Sequence, residues 1–333
     1  LSDRSNASAV RSGGGPGAAA ASGLYPVLKP PGMTSHDVTA FVRRLTGVSR
    51  CGHTGTLDPA AAGVLLVLVG SAAVRLAEYL VGLPKTYVAE IRFGQTTDTQ
   101  DATGNVIGEA SAEAAAGLAR ADVEAALGRF QGPILQVPPM ASAVKVGGRR
   151  LHRLARAGKT VERKARPVFV HSIELLEFSP PLARIRVACS SGTYVRTLAH
   201  DLGLALGVGA HLRFLVREAV GPFRLENTVS LEELTEAAAA GRLAALAVPA
   251  AEAVGHLPGL TVPAAVADCI RQGRAVAWPG GDAGTGDGGS PRAIRVLSET
   301  GELVAVATLA AGRLQPRKVL QPWTGGGRGP ARR

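Results

Sequence analysis

Cysteine is scarce: three in 333 residues, at Cys51, Cys189 and Cys269, with no C-x-x-C pair among them. That excludes a disulfide framework and a thiolate zinc site, and fits a chain working in the reducing cytoplasm. Aromatic residues make up only 4%, and neither H-E-x-x-H nor G-x-S-x-G occurs. The zinc-peptidase helix and the hydrolase nucleophile elbow are therefore missing. The longest apolar run, Gly63 to Val74, stops at Arg75 after about 12 residues, against the roughly 20 that a bilayer-spanning helix needs. The first 22 residues hold GGGPGAAAAS but no sustained apolar core, so they read as a disordered tail rather than a signal peptide.

Acid is also in short supply. Asp and Glu number 26 against 37 Lys and Arg, a net charge of +11 that points to a polyanionic partner, nucleic acid or an anionic membrane surface. Eight of the cations fall in residues 149–166, RRLHRLARAGKTVERKAR, where Glu162 is the one acid. Such a run is often only a solvated face, but its share of the net charge favours phosphate binding. AGKT within it is not a Walker loop, because Arg153 stands where the opening glycine belongs. His-Asp occurs twice, at His36-Asp37 and His200-Asp201, without a second ligand cluster at metal spacing; capping or solvent exposure explains both better than a metal.

Hydrophobic residues at 46% and a length of 333 support a large core and two domains. HDVTAFVRRLTG carries Val38, Phe41, Val42 and Leu45 at helical spacing and ends at Gly47; SAAVRLAEYLVG and residues 121–131 also read as helices. GVLLVLVG reads as a buried strand, and KTYVAEIRFG and ARIRVACS alternate as half-buried ones. TYVRTLAHDLGLALG is a helix, and Ser230 with Glu233 forms a capping box for LEELTEAAAAG. From about Leu257 to Trp323, LTVP, AIRVLSE and LVAVATLA surround the flexible loop GGDAGTGDGGS, predicting a small β domain. Strands and helices mix without a βαβ repeat, so the class is α+β.

The most specific stretch is GHTGTLDPAAAG, with a single carboxylate, Asp58, among small residues and beside His53, Thr54 and Thr56. It runs straight into the buried strand, so a shaped connection is anchored to the core, a place where folds put chemistry. An ordinary Asp-Pro turn made by Pro59 is the competing reading of this spacing.

KPPGMTSHDV, RCGHTGTLDPAAAGVLLVLVG, KTYVAEIRFGQTTDTQDATG and SGTYVRTLAHDLG follow one another in order. Together they resemble the TruB family, which makes pseudouridine at position 55 in the T-loop of tRNA, over about Leu24 to Leu231. The resemblance implies a pseudouridine-synthase catalytic domain (23–250) built on a mixed, mainly antiparallel sheet with flanking helices. It further implies a basic thumb-like insertion (136–166), a small β-rich PUA-like RNA-binding domain (257–323) and a disordered basic tail (324–333). By resemblance, Asp58 is the catalytic carboxylate, Tyr87 the active-site tyrosine and Arg196 the arginine that pairs with the aspartate. His53 helps receive the flipped nucleotide, Tyr194 and Leu215 line the uracil pocket, and Lys29 is a basic residue near the site. Arg149, Arg150 and Arg153 of the thumb-like segment are the expected contacts to RNA. The expected partner is the T-arm of tRNA, bound by a monomer with no obligate protein partner, no membrane, no metal and no cofactor.

The implied reaction breaks the N1–C1′ bond of a flipped-out uridine, turns the base and rejoins it through C5. A carboxylate near sugar and base either attacks covalently or stabilises developing positive charge. Burial raises the pKa of such a group and a neighbouring arginine opposes the rise, so Arg196 is expected to keep Asp58 ionised and aimed. A tyrosine, with an ordinary pKa near 10, acts as a base only if its pKa is lowered; otherwise Tyr87 stacks on the base or simply fills the core.

Overall fold

The computed structural model describes residues 21–320, apart from 143, 152, 153, 155–157, 160 and 279–291. The expected N-terminal tail as far as residue 20, the Gly/Asp-rich loop and the basic C-terminal tail lie outside the described residues.

In chain order the strands of the first part are β1 (Gly23–Lys29), β2 (Cys51–Thr54), β3 (Ala62–Val69), β4 (Lys85–Phe93), β5 (Gln95–Thr97) and β6 (Val106–Glu109). Then come β7 (Gly132–Gln136), β8 (Lys145–Val146), β9 (Arg149–Arg150), β10 (Arg166–Ser179), β11 (Leu182–Cys189), β12 (Ala210–Val220) and β13 (Phe223–Arg224). One sheet runs β1-β3-β12-β4-β11-β10-β7, with β2 added to β3 and β13 to β12. Its pairs are antiparallel except β3 with β12, so the sheet is mixed and mainly antiparallel, as the α+β reading requires.

The unbroken apolar run of β3 has a physical cause. Val64, Leu66 and Leu68 enter one hydrophobic cluster, and Leu65, Val67 and Val69 enter another on the opposite face. A strand covered on both sides has no polar face to alternate with. β4 shows the contrasting pattern: Tyr87, Ala89, Ile91 and Phe93 are buried, whereas Arg92 between them is exposed. Helices Arg120–Gly128 and Val195–Ala205 cover that buried face with Val123, Leu127, Leu198 and Leu202.

β1 occupies one edge of β3 along its whole length, leaving the other edge to be shared. β2 takes Leu66–Val69 on it, and β12 takes only Ala62 and Gly63. The GHTGTLDPAA connection therefore leaves β2 and re-enters β3 where β3 and β12 part. The close approach there depends on Gly63, which has φ +113°; a Cβ would lie 2.3 Å from the Arg217 carbonyl oxygen.

Helix Ser35–Thr46 is fixed by a capping box between Thr34 and Asp37 and closed by Gly47 in the left-handed region. This accounts for the Asp37 of the first His-Asp pair. SAAVRLAEYLVG is not one helix but two, Ser71–Arg75 and Ala77–Val81. Leu76 is turned into the core, and its N–H bonds back to Ala73 at 2.9 Å, a three-residue closure that ends the first turn. Ser230 and Glu233 form the expected capping box on helix Leu231–Ala239.

A second sheet has the order β14 (Gly259–Thr261), β16 (Ala293–Leu297), β17 (Leu303–Ala310), β18 (Arg313–Val319), β15 (Val276–Ala277). LTVP, AIRVLSE and LVAVATLA supply β14, β16 and β17. β18 went unread because RLQPRKV holds Pro316, which the sheet tolerates opposite Ala307 beside a register shift. Helix Ala264–Arg271 packs on this sheet through Ala267 and Ile270. Leu303, Val306 and Leu320 share a cluster with Leu24, Leu66, Leu68 and Leu76, so the two sheets meet through one apolar interface.

Candidate active site

The loop between β2 and β3 is held from beneath. Ser35 Oγ donates to the Leu57 carbonyl at 3.0 Å and accepts from the Leu57 N–H at 2.9 Å. Lys29, 0% exposed, donates to the carbonyls of Pro30 (2.9 Å), Pro59 (3.2 Å) and Ala61 (2.6 Å). Arg217, 1% exposed, donates from Nε to Val64 O at 2.7 Å and from Nη2 to Gly55 O at 2.8 Å. Two buried cations thus satisfy the carbonyls of a segment that has left its β ladder.

Asp58 rises from this platform with 41% of its side chain exposed. Arg196 meets it in a fork: Nε lies 3.0 Å from Oδ2 and Nη2 lies 3.3 Å from Oδ1. The same guanidinium reaches Asp101 Oδ2 at 3.2 Å, Thr99 O at 3.3 Å and Ala141 O at 2.8 Å. Burial raises the pKa of Asp58 above the usual carboxylate value; Arg196 opposes this most, Asp101 adds to it and Lys29 opposes it weakly. Asp101 was not singled out in the sequence. It sits in a turn where Thr99 Oγ1 and the Thr103 N–H donate to its Oδ1, at 2.8 and 2.9 Å. The D-T-Q-D-A-T-G composition signalled a turn, but nothing local indicated which carboxylate would face a distant arginine.

Tyr87 is buried in the central core, directly across the β4–β12 ladder from Arg217. Burial pushes its phenol upward while Arg217 pulls the other way, and burial is the larger effect. The lowered pKa that a proton-abstracting tyrosine requires is therefore not present here.

His53 sits between Thr39 Oγ1, 3.0 Å from Nδ1, and Thr56 Oγ1, 3.4 Å from Nε2, with the His36 ring edge-on at 5.0 Å. Burial foremost, then His36 and Arg217, lower its pKa to about 4, so the imidazole is neutral near pH 7. Tyr194 is half-buried at the start of helix Val195–Ala205. Its backbone is clamped by buried Gln136, whose Oε1 accepts from Tyr194 N at 3.0 Å and whose Nε2 donates to Tyr194 O at 3.2 Å. Leu215 lies in the same hydrophobic cluster as Tyr87.

Lys29 lies near the site, as the resemblance implies. Its ammonium lies under the loop with three backbone carbonyls as partners, so it braces Asp58's segment rather than facing a ligand. Arg149 is exposed on β9. Arg150 completes that strand, and Arg153 lies outside the described residues. Among the described residues there is no group of His, Cys, Asp and Glu able to hold a metal ion, and no helix long and apolar enough to cross a membrane.

An accessible carboxylate, a buried forked arginine and a buried tyrosine thus converge at the split in the sheet. Such an arrangement can present an oriented anion to an electrophilic sugar or ring carbon.

Residues 43–195 match the model of the TruB family pseudouridylate synthase N-terminal domain, and residues 196–254 match that of the tRNA pseudouridylate synthase B C-terminal domain. The tRNA pseudouridine synthase B of Symbiobacterium thermophilum is 61% identical over 232 residues, covering 69% of this chain and 75% of that protein. The enzyme of the same name from Geobacillus kaustophilus is 46% identical over 263 residues, covering 77% and 91%. Among solved structures, a chain of an H/ACA RNP bound to a substrate RNA containing 2′-deoxyuridine superimposes with a TM-score of 0.70 at 25% identity, covering 92% of this chain and 87% of that one. A chain of a Cbf5-Nop10-Gar1 complex gives 0.69 at 26% identity, covering 92% and 88%. With matches that run through the loop of Asp58 and the helix of Arg196, the chain belongs to the TruB family of pseudouridylate synthases.

Proposed function

We propose that this chain isomerises the T-loop uridine at position 55 of tRNA to pseudouridine, with Asp58 as the catalytic carboxylate. The observation that carries the reading is the fork between buried Arg196 and half-exposed Asp58 at 3.0 and 3.3 Å. It fixes the direction of one carboxylate without removing it from reach of a ligand. The relatives named tRNA pseudouridine synthase B support tRNA as the substrate. In this reading the enzyme works as a monomer in the cytoplasm, needing no membrane and no obligate protein partner.

Uridine must leave its stack to reach Asp58, at a cost of a few kcal/mol that pocket and backbone contacts offset. Neutral His53, at the mouth of the loop, fills space vacated by the flipped nucleotide. Tyr194 and Leu215 line the base pocket, and the cations of the 136–166 segment, Arg149, Arg150 and Arg153 among them, grip phosphates. Asp58 attacks, or supports charge on, the carbon it faces as N1–C1′ breaks. The base turns and C5–C1′ forms; the C5 proton goes to water and N1 gains one. With its phenol raised by burial, Tyr87 acts by stacking and hydrogen bonding rather than as the base.

The test uses unmodified tRNA tritiated at uridine C5. Wild-type protein should release tritium from the T-loop uridine alone, and Asp58→Asn should release none. Tight tRNA binding with no release by the wild type would leave an RNA-binding protein without this activity.

A further inference from the structure

Among the described residues, two other than glycine have positive φ: Gln100 at +64° and Ala311 at +49°. Gln100 stands between Thr99 and Asp101, the two residues of the β5–β6 turn that bind Arg196. A left-handed backbone is unfavourable for an L side chain, and such strain persists only where the surroundings over-determine it. Here they do. The Gln100 N–H donates to Thr97 O at 3.1 Å, and its carbonyl accepts from the Leu212 N–H on β12 at 3.0 Å. Its side-chain Oε1 accepts from Thr197 Oγ1 at 2.9 Å. One residue thus ties its own turn to a central strand and to the helix of Arg196, Val195–Ala205.

The kink has a geometric result. With the chain turned back at Gln100, the Thr99 carbonyl at 3.3 Å and the Asp101 carboxylate at 3.2 Å converge on one atom, Arg196 Nη1. That leaves Nε and Nη2 to face Asp58 at 3.0 and 3.3 Å. Thr197 follows Arg196 in the helix and is 2% exposed, so the Gln100 amide grips the helix one residue from the arginine. A glycine would adopt the same backbone without strain. What glutamine adds is the amide, and the amide reaches the helix that carries Arg196.

Resting on the proposed reaction, we propose that Gln100 is a positioning residue that acts through Arg196. Its left-handed backbone and its bond to Thr197 hold Thr99 O and Asp101 on Nη1, and so aim the rest of the guanidinium at Asp58. Without that bond the turn and the helix are free to shift against each other, and the fork on Asp58 loosens with them.

The experiment is a double-mutant cycle of Gln100→Gly, which keeps the backbone and removes the amide, and Thr197→Val, which removes the hydroxyl. It is read across pH by single-turnover tritium release from C5-tritiated tRNA at saturating enzyme, with tRNA Kd and urea midpoints measured beside it. Each single variant should slow release about tenfold and leave Kd within about twofold. The double variant should also lose about tenfold, not the roughly hundredfold of independent effects, because both changes remove one bond. Arg196 is the strongest of the charges acting on Asp58, ahead of Asp101 and Lys29, and it opposes the raised pKa. A loosened fork therefore moves the acid limb of the profile to higher pH in all three variants, which a loss of stability alone does not do. Thr197→Ser, which keeps the hydroxyl, should stay within about threefold of the wild-type rate. Wild-type rates for either single variant, losses that multiply, or an acid limb that stays in place would overturn the proposal. If Gln100→Gly does not fold, Gln100→Asn, which accepts a left-handed backbone but is one methylene shorter, completes the cycle under the same criteria. A wild-type protein that releases no tritium would refute the proposed reaction instead, which separates the two failures.

Discussion

The Lys29 ammonium lies 2.6 Å from the Ala61 carbonyl with no exposure to water, a cation buried against backbone dipoles at the root of the Asp58 loop. Burial lowers its pKa from 10.5 to about 8, and Lys85, bound to the carbonyls of Val81 and Leu83, is lowered to about 8 as well. Between pH 8 and 10.5 the unfolded chain therefore binds more protons than the folded one, and stability rises with pH. The gain from pH 8 to 9 should be on the order of 1 kcal/mol for the two lysines together, after allowance for screening. Above pH 9 the buried Cys189 thiol, held protonated up to about 11, works in the opposite direction. Urea midpoints at pH 8 and 9 measure the slope, and Lys29→Met should flatten it by about half. An unchanged slope would mean that Lys29 titrates as it would in water.

Arg196 serves two carboxylates, Asp58 and Asp101, and the charge of Asp101 raises the pKa of Asp58. Activity that needs ionised Asp58 is lost as pH falls through that raised pKa. Asp101→Asn removes a like charge, so the acid limb of the single-turnover pH profile should move to lower pH. The plateau should also drop, by about tenfold, because Arg196 loses one of the two anions that aim it. An acid limb that stays in place, or moves upward, would show that Asp101 exerts no electrostatic effect on Asp58.

Asp101 also marks the limit of what the sequence discloses. Asp58, Tyr87 and Arg196 were legible because each sits in a distinctive local string, GTLDP, KTY and TYVR, and the structure brings Asp58 and Arg196 together. β3 was legible from its unbroken apolar run and β4 from its alternation, since their burial follows each pattern. Arg217 and Asp101 were not, because their importance lies in contacts across long sequence separations: Arg217 to Gly55, and Asp101 to Arg196. The bracing contacts of Lys29 were hidden for a related reason. A lysine beside a site reads as a ligand contact until three carbonyls are seen to claim its protons. The break at Leu76 likewise follows from a core that only the folded chain contains.

Gly63, at the start of β3, should prove the least replaceable glycine around the Asp58 loop. Its φ of +113° is strained for any L side chain, and a Cβ would stand 2.3 Å from Arg217 O and 2.7 Å from Arg217 N. Relief would require β3 and β12 to separate at Ala62↔Val216 and Gly63↔Arg217, the pairs that join them. Gly47, with φ +65° and nothing within 4 Å, is the control, because alanine there meets backbone strain without a clash. Gly47→Ala should cost about 1 kcal/mol and Gly63→Ala about 3 kcal/mol or more, read from urea midpoints. Moving β12 would also draw the Arg217 guanidinium away from Gly55 O, so Gly63→Ala should slow tritium release even at temperatures where it remains folded. Equal costs for the two glycines would mean that β3 and β12 can part freely, and that the split in the sheet does not hold the loop.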